Sequence, residues 1–331
     1  MSQSYVPYNN VWSIDISNTS GDVFTSPVVD KNIVYIGSGK YVYAIGDTGK
    51  TSYYRWAHEK FNIQVNGTTT DYGEIYSACS VDSSGNFLYF GTTKGYIYKI
   101  NAITGILATD YPKNISSLDA SFNTNEYVIY APICIVYDIS NNRDIAICSA
   151  IYDNHAKGLI IAIDTSNNSK LWHRENEYDL IIDNNIPNTI ITMNNGILFN
   201  GMAYNRFKKS VYISTIRHII SLDVSGGAVK CLFKGDVVNA PPVCFSTPTV
   251  DSSGNVLVSA LTNSNPTATL HNKLYSLTEI SLNGNNTNFE FTKNWEIDVD
   301  ETGRLSAAVI DISGNIWLTA KNKIHKFVFT L

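Results

Sequence analysis

Three aspartates recur in nearly the same six-residue setting: VDSSGN at 81–86, VDSSGN again at 250–255, and IDISGN at 310–315. If Asp82, Asp251 and Asp311 do chemistry, it is calcium binding or acid–base work. Calcium takes about six to eight oxygen ligands, so several of these carboxylates would have to converge. The plainer reading is a turn. An Asp that opens a turn accepts a hydrogen bond from backbone two residues on, and Gly85, Gly254 and Gly314 take positive φ cheaply. Each motif lies between two apolar runs, and rotational repetition would spread the carboxylates around one face, far apart. The motif reads as punctuation between strands.

Other chemistry-bearing residues meet the same test. Cys79, Cys134 and Cys244 stand at matching places on apolar runs. A soft-metal ring is the chemical reading, and small buried residues the structural one. A nucleophilic role needs a histidine partner at a matching position, and none of the six histidines supplies one. His58 and His173 follow Trp56 and Trp172 closely and read as exposed or half-exposed. DVDETG at 298–303 starts like a calcium loop, but position 309 is Val where a Glu is required, so it reads as an acidic interblade loop. No HExxH, Gly-rich phosphate loop or nucleophile elbow occurs.

Composition narrows the partners. The 331 residues carry a net charge of −5 with no basic run, which speaks against nucleic acid and anionic membranes. No stretch approaches the roughly eighteen apolar residues of a membrane span, and no signal peptide is seen at the N-terminus. Five cysteines without a CxxC pair read as reduced thiols. A cytoplasmic location, or a particle assembled there, is expected.

The elements that would position these residues repeat. Copies run over 27–56, 79–107, 133–172, 189–233, 248–295 and 307–331, each with three or four short runs of Val, Ile, Tyr, Phe and Leu between turn residues. Asp47, Asn101, Asp164, Asp223 and Ser281 mark the third run of successive copies, 54, 63, 59 and 58 residues apart. VVDKN (28–32) and MNNGI (193–197) align with VDSSGN in this register. The expectation is an all-β, single-domain, six-bladed β-propeller of four-stranded antiparallel blades. VWSIDI (11–16) would complete the last blade, 305–331; a seventh, degenerate blade within 174–230 is the alternative. Trp12, Trp56, Trp172 and Trp295 fall on outer strands, where each can lie across the next blade and bury roughly 150–250 Å². Their other reading is a ring of exposed aromatics for sugar or peptide. Trp317, on a middle strand, reads as core.

IVYIGSGKYVYAIGDTGK (33–50), followed by Trp56, and LYFGTTKGYIYKINAITG (88–105) resemble the repeat of quinoprotein-type, PQQ-like β-propellers. IIAIDTSNNSKLW (160–172) keeps the same pattern, and IDISGNIWLTAKNKIHKF also resembles six-bladed lactonase and lyase propellers. The family holds eight-bladed dehydrogenases that carry pyrroloquinoline quinone with calcium beside vicinal cysteines. It also holds non-enzymatic scaffolds, including the propeller subunit of the outer-membrane β-barrel assembly machinery. This chain has no adjacent cysteines, so the resemblance implies the fold without the quinone. The function expected is non-catalytic binding or scaffolding of a protein partner, a virus-particle component being one form of it. Loops at 57–76, 110–130, 174–188, 201–209 and 262–272 would make the contacts. The alternatives are a calcium-dependent hydrolase or lyase and a lectin-like carbohydrate binder.

Overall fold

The computed structural model describes residues 25–39, 41–47, 52–54, 61–62, 72–122, 126–152, 157–175, 201–214, 218–233, 244–262, 271–282, 289–299, 306–320 and 323–328. They form six antiparallel sheets in chain order, the blades of a β-propeller. Blade 1 comprises Val28–Asp30, Ile33–Ser38, Tyr41–Asp47 and Ser52–Tyr54, with Phe61–Asn62 also paired to its third strand. Blade 2 comprises Ser80–Val81, Phe87–Gly91, Tyr96–Asn101 and Lys113–Asn114. Blade 3 comprises Cys134–Asp138, Arg143–Tyr152, Lys157–Asp164 and Lys170–Glu175. Blade 4 comprises Met202–Asn205, Ser210–Ser214, Ile219–Asp223 and Val229–Phe233. Blade 5 starts with Cys244–Phe245 and Thr249–Val250 and continues with Val256–Thr262, His271–Ser281 and Phe289–Val299. Blade 6 has Val309–Ile310, Ile316–Ala320 and Lys323–Phe327 among the described residues. The segment 11–16 expected to complete it lies outside them.

The strands form because their residues are β-branched or aromatic and find apolar neighbours on both faces. Ser210–Ser214, for example, is buried along its whole length. The core is a series of seams between consecutive blades. Tyr35 and Val42 of blade 1 pack with Leu88, Phe90 and Tyr98 of blade 2, and Tyr89 and Ile97 pack with Ile161 and Cys148 of blade 3. Similar clusters join blades 3 and 4, 4 and 5, and 5 and 6. Each fully buried Leu, Ile or Phe in them contributes about 1.5–3 kcal/mol. The first strands of blades 2 to 5 neighbour one another, which makes them the inner strands.

Four of the repeat marks fall at the ends of third strands: Asp47, Asn101, Asp164 and Asp223. The fifth is corrected by the pairing. In blades 3 and 4 the marked residue lies two beyond the residue facing Trp172 or Cys231, namely Ala162 or Ser221. Trp295 faces Ser276, so the equivalent mark is Thr278 and not Ser281. The third strand of blade 5 simply runs on past it.

The fourth copy is corrected too. Its first two strands are Met202–Asn205 and Ser210–Ser214, paired from Met202↔Ile213 to Asn205↔Ser210. The turn is therefore 205–210, MNNGI at 193–197 lies outside the described residues, and 201–209 is a strand with its turn rather than a contact loop. Residues 201–233 hold one ordinary blade. The segment 110–130 is corrected likewise: Ile115, Phe122, Tyr127 and Ile129 are buried in the seam of blades 2 and 3, so it serves as core filling.

Candidate functional site

Each blade joins its first two strands by a turn opening on Asp or Asn: Asp30, Asp82, Asp138, Asn205, Asp251 and Asp311. Connections between strands one and two, and between three and four, emerge at the same end of an antiparallel meander, so they share one face. Asp82 Oδ1 accepts the N–H groups of Asn86 (2.8 Å) and Phe87 (2.9 Å). Asp251 Oδ1 accepts those of Ser253 and Asn255, both at 2.8 Å. Asp311 Oδ1 accepts those of Ser313 and Asn315, both at 2.9 Å. Gly85, Gly254 and Gly314 take φ of 70°, 84° and 79° and donate back to the aspartate carbonyls. The side-chain amide of Asn315 and the indole N–H of Trp317 also reach Asp311 Oδ2, and they hold its carboxyl well below the usual range. In blades 3 and 4 Asn142 and Lys209 take the positive φ without glycine. Trp317 is half-buried, not core, with Lys326 Nζ 4.9 Å above its ring.

This face also carries exposed apolar side chains. Ile139, Phe207 and Ile312 stand at the turn tips of blades 3, 4 and 6, with Ile312 fully exposed. Ile103 and Ile106 occupy the three–four turn of blade 2, and Val29, Tyr137 and Val309 lie on inner strands just before their turns. These side chains belong to different blades and share one face.

Trp172, Cys231 and Trp295 occupy one register position, each beside a bulge in the fourth strand. Trp172 is buried, donates to the Val224 carbonyl at 2.8 Å, and lies against Gly227 of blade 4. Trp295 is half-buried and lines a groove of about 920 Å³ between blades 5 and 6. Asp251 and Asp311, from adjacent blades, both line this groove. Asn294, the residue extruded by the bulge, donates to Ser276 Oγ (3.1 Å) and Thr278 Oγ1 (2.9 Å) beside Asn255. No single residue here has a sequence signature; Ile139 and Ile312, apolar residues inside polar turns, were the visible hint.

Trp12, Trp56 and His58 lie outside the described residues. His173 is half-buried, its Nδ1 3.2 Å from Lys170 Nζ and its ring edge-on to Phe122. Asp298 belongs to the strand Phe289–Val299 rather than to a loop. Cys134 and Cys244 begin inner strands and Cys79 precedes one. Burial pushes the Cys79 and Cys134 thiols up to about 12, far from a nucleophile's range.

Reactive residue types do meet at the seam of blades 4 and 5. There Glu279 binds Lys230 (2.5 Å), Ser210 Oγ (3.1 Å) and Ser221 Oγ (2.6 Å) beside Cys231. Glu279 and both serines are fully buried, so the cluster is an interblade strut. Where blade 4 has Cys231 instead of Trp, the lengthened hairpin of blade 5 supplies Glu279, Phe289 and Phe291 in compensation.

No group of three or more His, Cys, Asp or Glu able to hold a metal occurs among the described residues. The sequence has no two adjacent cysteines. No helix among the described residues is long and apolar enough to cross a membrane.

These sheets define the class, a six-bladed β-propeller. No family model matches the sequence, and no curated protein does either. Among solved structures the chain is similar to BamB from Moraxella catarrhalis, with a TM-score of 0.49, 16% identity, and coverage of 93% of this chain and 86% of that one. It is also similar to the quinohemoprotein alcohol dehydrogenase of Comamonas testosteroni, with a TM-score of 0.48, 13% identity, and coverage of 92% and 52%. The chain thus spans about half of the dehydrogenase. At these identities the likeness carries neither an activity nor a cofactor.

Proposed function

We propose that this chain is a non-catalytic binding or scaffolding propeller that holds a protein partner on the face formed by its one–two and three–four turns. The observation that carries the reading is the set of apolar side chains presented there in water, above all Ile139, Phe207 and Ile312. Rigid blades fix these tips in space, and loops held by a rigid frame are where recognition concentrates. The aspartates beneath them stabilise the turns, so the face is preformed and little ordering opposes binding. A place in a larger assembly, such as a virus particle, is the narrower form of the same reading.

The test is cross-linked recovery of partners from the native source with the wild-type chain and an Ile139→Asp/Phe207→Asp variant. A specific protein retained by the wild type and lost by the variant supports the proposal. Equal recovery by both, at equal melting temperature, sinks it. Migration of the native chain with a large particle supports the narrower form.

A further inference from the structure

We infer that the groove between blades 5 and 6 is a binding site for a neutral glycan. It goes beyond the protein-docking reading, whose test uses side chains on blades 3 and 4. The groove's volume, about 920 Å³, lies within the range of small-ligand sites. One wall is an array of amides and hydroxyls. Thr278 Oγ1 donates to Asn255 Oδ1 at 2.6 Å, and the Asn294 amide donates to Thr278 and Ser276. The other wall is apolar, with Ile310, Ile312 and Ile316, broken by the Ser313 hydroxyl. Trp295 adds indole surface between them. A sugar is amphipathic in the same manner: its hydroxyls match the amide wall, and its C–H faces match the indole and isoleucines.

The two carboxylates have different capacities. A carboxylate offers about four lone-pair sites. Asp311 accepts from Ser313 N–H, Asn315 N–H, the Asn315 amide and the Trp317 indole, and is full. Asp251 accepts from Ser253 N–H, Asn255 N–H and the Asn255 amide. Among the described residues it receives no fourth donor, which leaves an acceptor site for a ligand hydroxyl.

Charge and backbone geometry narrow the ligand. No Lys, Arg or His is among the described lining residues, so none of these offsets a phosphate or uronate beside Asp251. With Asp311 full, the pair offers too few oxygens for a dedicated calcium site. An extended peptide would need a row of free backbone donors and acceptors. Here the walls are turns already bonded within themselves, Gly254 to Asp251 and Gly314 to Asp311.

The experiment is to present the full chain to an array of neutral and acidic oligosaccharides and titrate any hit by intrinsic tryptophan fluorescence. Neutral sugars should bind and acidic ones should not. Asn294→Ala removes the amide that ties Ser276 and Thr278 into the polar wall and should weaken binding about tenfold. Ile312→Lys tests the other wall from a fully exposed position, where folding is unaffected. A blank array, a preference for acidic glycans, capture of extended peptides instead, or binding indifferent to both substitutions would overturn the assignment.

Discussion

Trp172 and Trp295 hold the same place in their blades, yet one is sealed and the other lines a groove. Each follows a bulge and faces a small residue, Ala162 or Ser276. The described surroundings of the two differ. Blade 4 offers Trp172 its three–four turn, with a carbonyl for the indole N–H and a glycine against the ring. On the blade 6 side, the described residues around Trp295 are the one–two turn, Ile310 to Gly314. An identical register position is therefore buried in one seam and half-buried beside a groove in the other. Trp172→Ala should cost about 3–5 kcal/mol, as a large aromatic removed from a sealed site does. Trp295→Ala should cost roughly half that or less, because its site is already partly in water. Urea unfolding of both variants checks this, and equal losses would break the comparison.

Glycine substitutions sharpen it. Gly227 has φ +67°, and a Cβ there would lie 2.4 Å from Trp172 Cε3, a rigid ring with no room to yield. Gly227→Ala should combine backbone strain with overpacking, about 2–4 kcal/mol. Gly314 has φ +79°, but nothing lies within 4 Å of its added Cβ, so only strain of about 1 kcal/mol remains. Thermal melts of the two alanine variants should differ clearly. If they coincide, the ring at Gly227 is free to move and the seam is looser than its geometry.

Much of this ring was legible because its punctuation repeats. VDSSGN and IDISGN carry the turn in their own letters, since Asp and Gly are each needed for a stated backbone reason. Asn205–Ser210 carries the same turn with Lys209 at the positive φ, so its glycine signal is missing and the register slipped to MNNGI. Ser281 misled for another reason: the hairpin of blade 5 outgrows its blade, and only the pairing shows that Thr278 is the equivalent residue. The groove was hidden more deeply. Asn294 and Asp251 are about 40 residues apart, and Asp311 belongs to the next blade. Their meeting depends on where a bulge extrudes a side chain, which local composition does not encode.

Acid titration gives the smallest expected effect and compares the same two seams. Asp138 lines the smaller recess between blades 3 and 4, and Asp311 the groove between blades 5 and 6. Both carboxyls are held below their ordinary range. For Asp138 the Asn141 amide is the main cause, with Arg143 Nε adding its charge from 3.5 Å. For Asp311 the Asn315 amide leads, followed by the Trp317 indole, and neither is charged. A carboxyl depressed in the folded state stabilises it above the unfolded value, about 3.9, and loses that contribution as pH falls towards the folded value. Asp138→Asn and Asp311→Asn should therefore each flatten the loss of melting temperature below about pH 4. High salt should shrink the effect at Asp138, where part of the interaction is between charges, and leave Asp311 unchanged, where donors are neutral dipoles. A salt-dependent limb at Asp311 would mean that a cation faces it in solution, and the exclusion of acidic ligands from the groove would have to be abandoned.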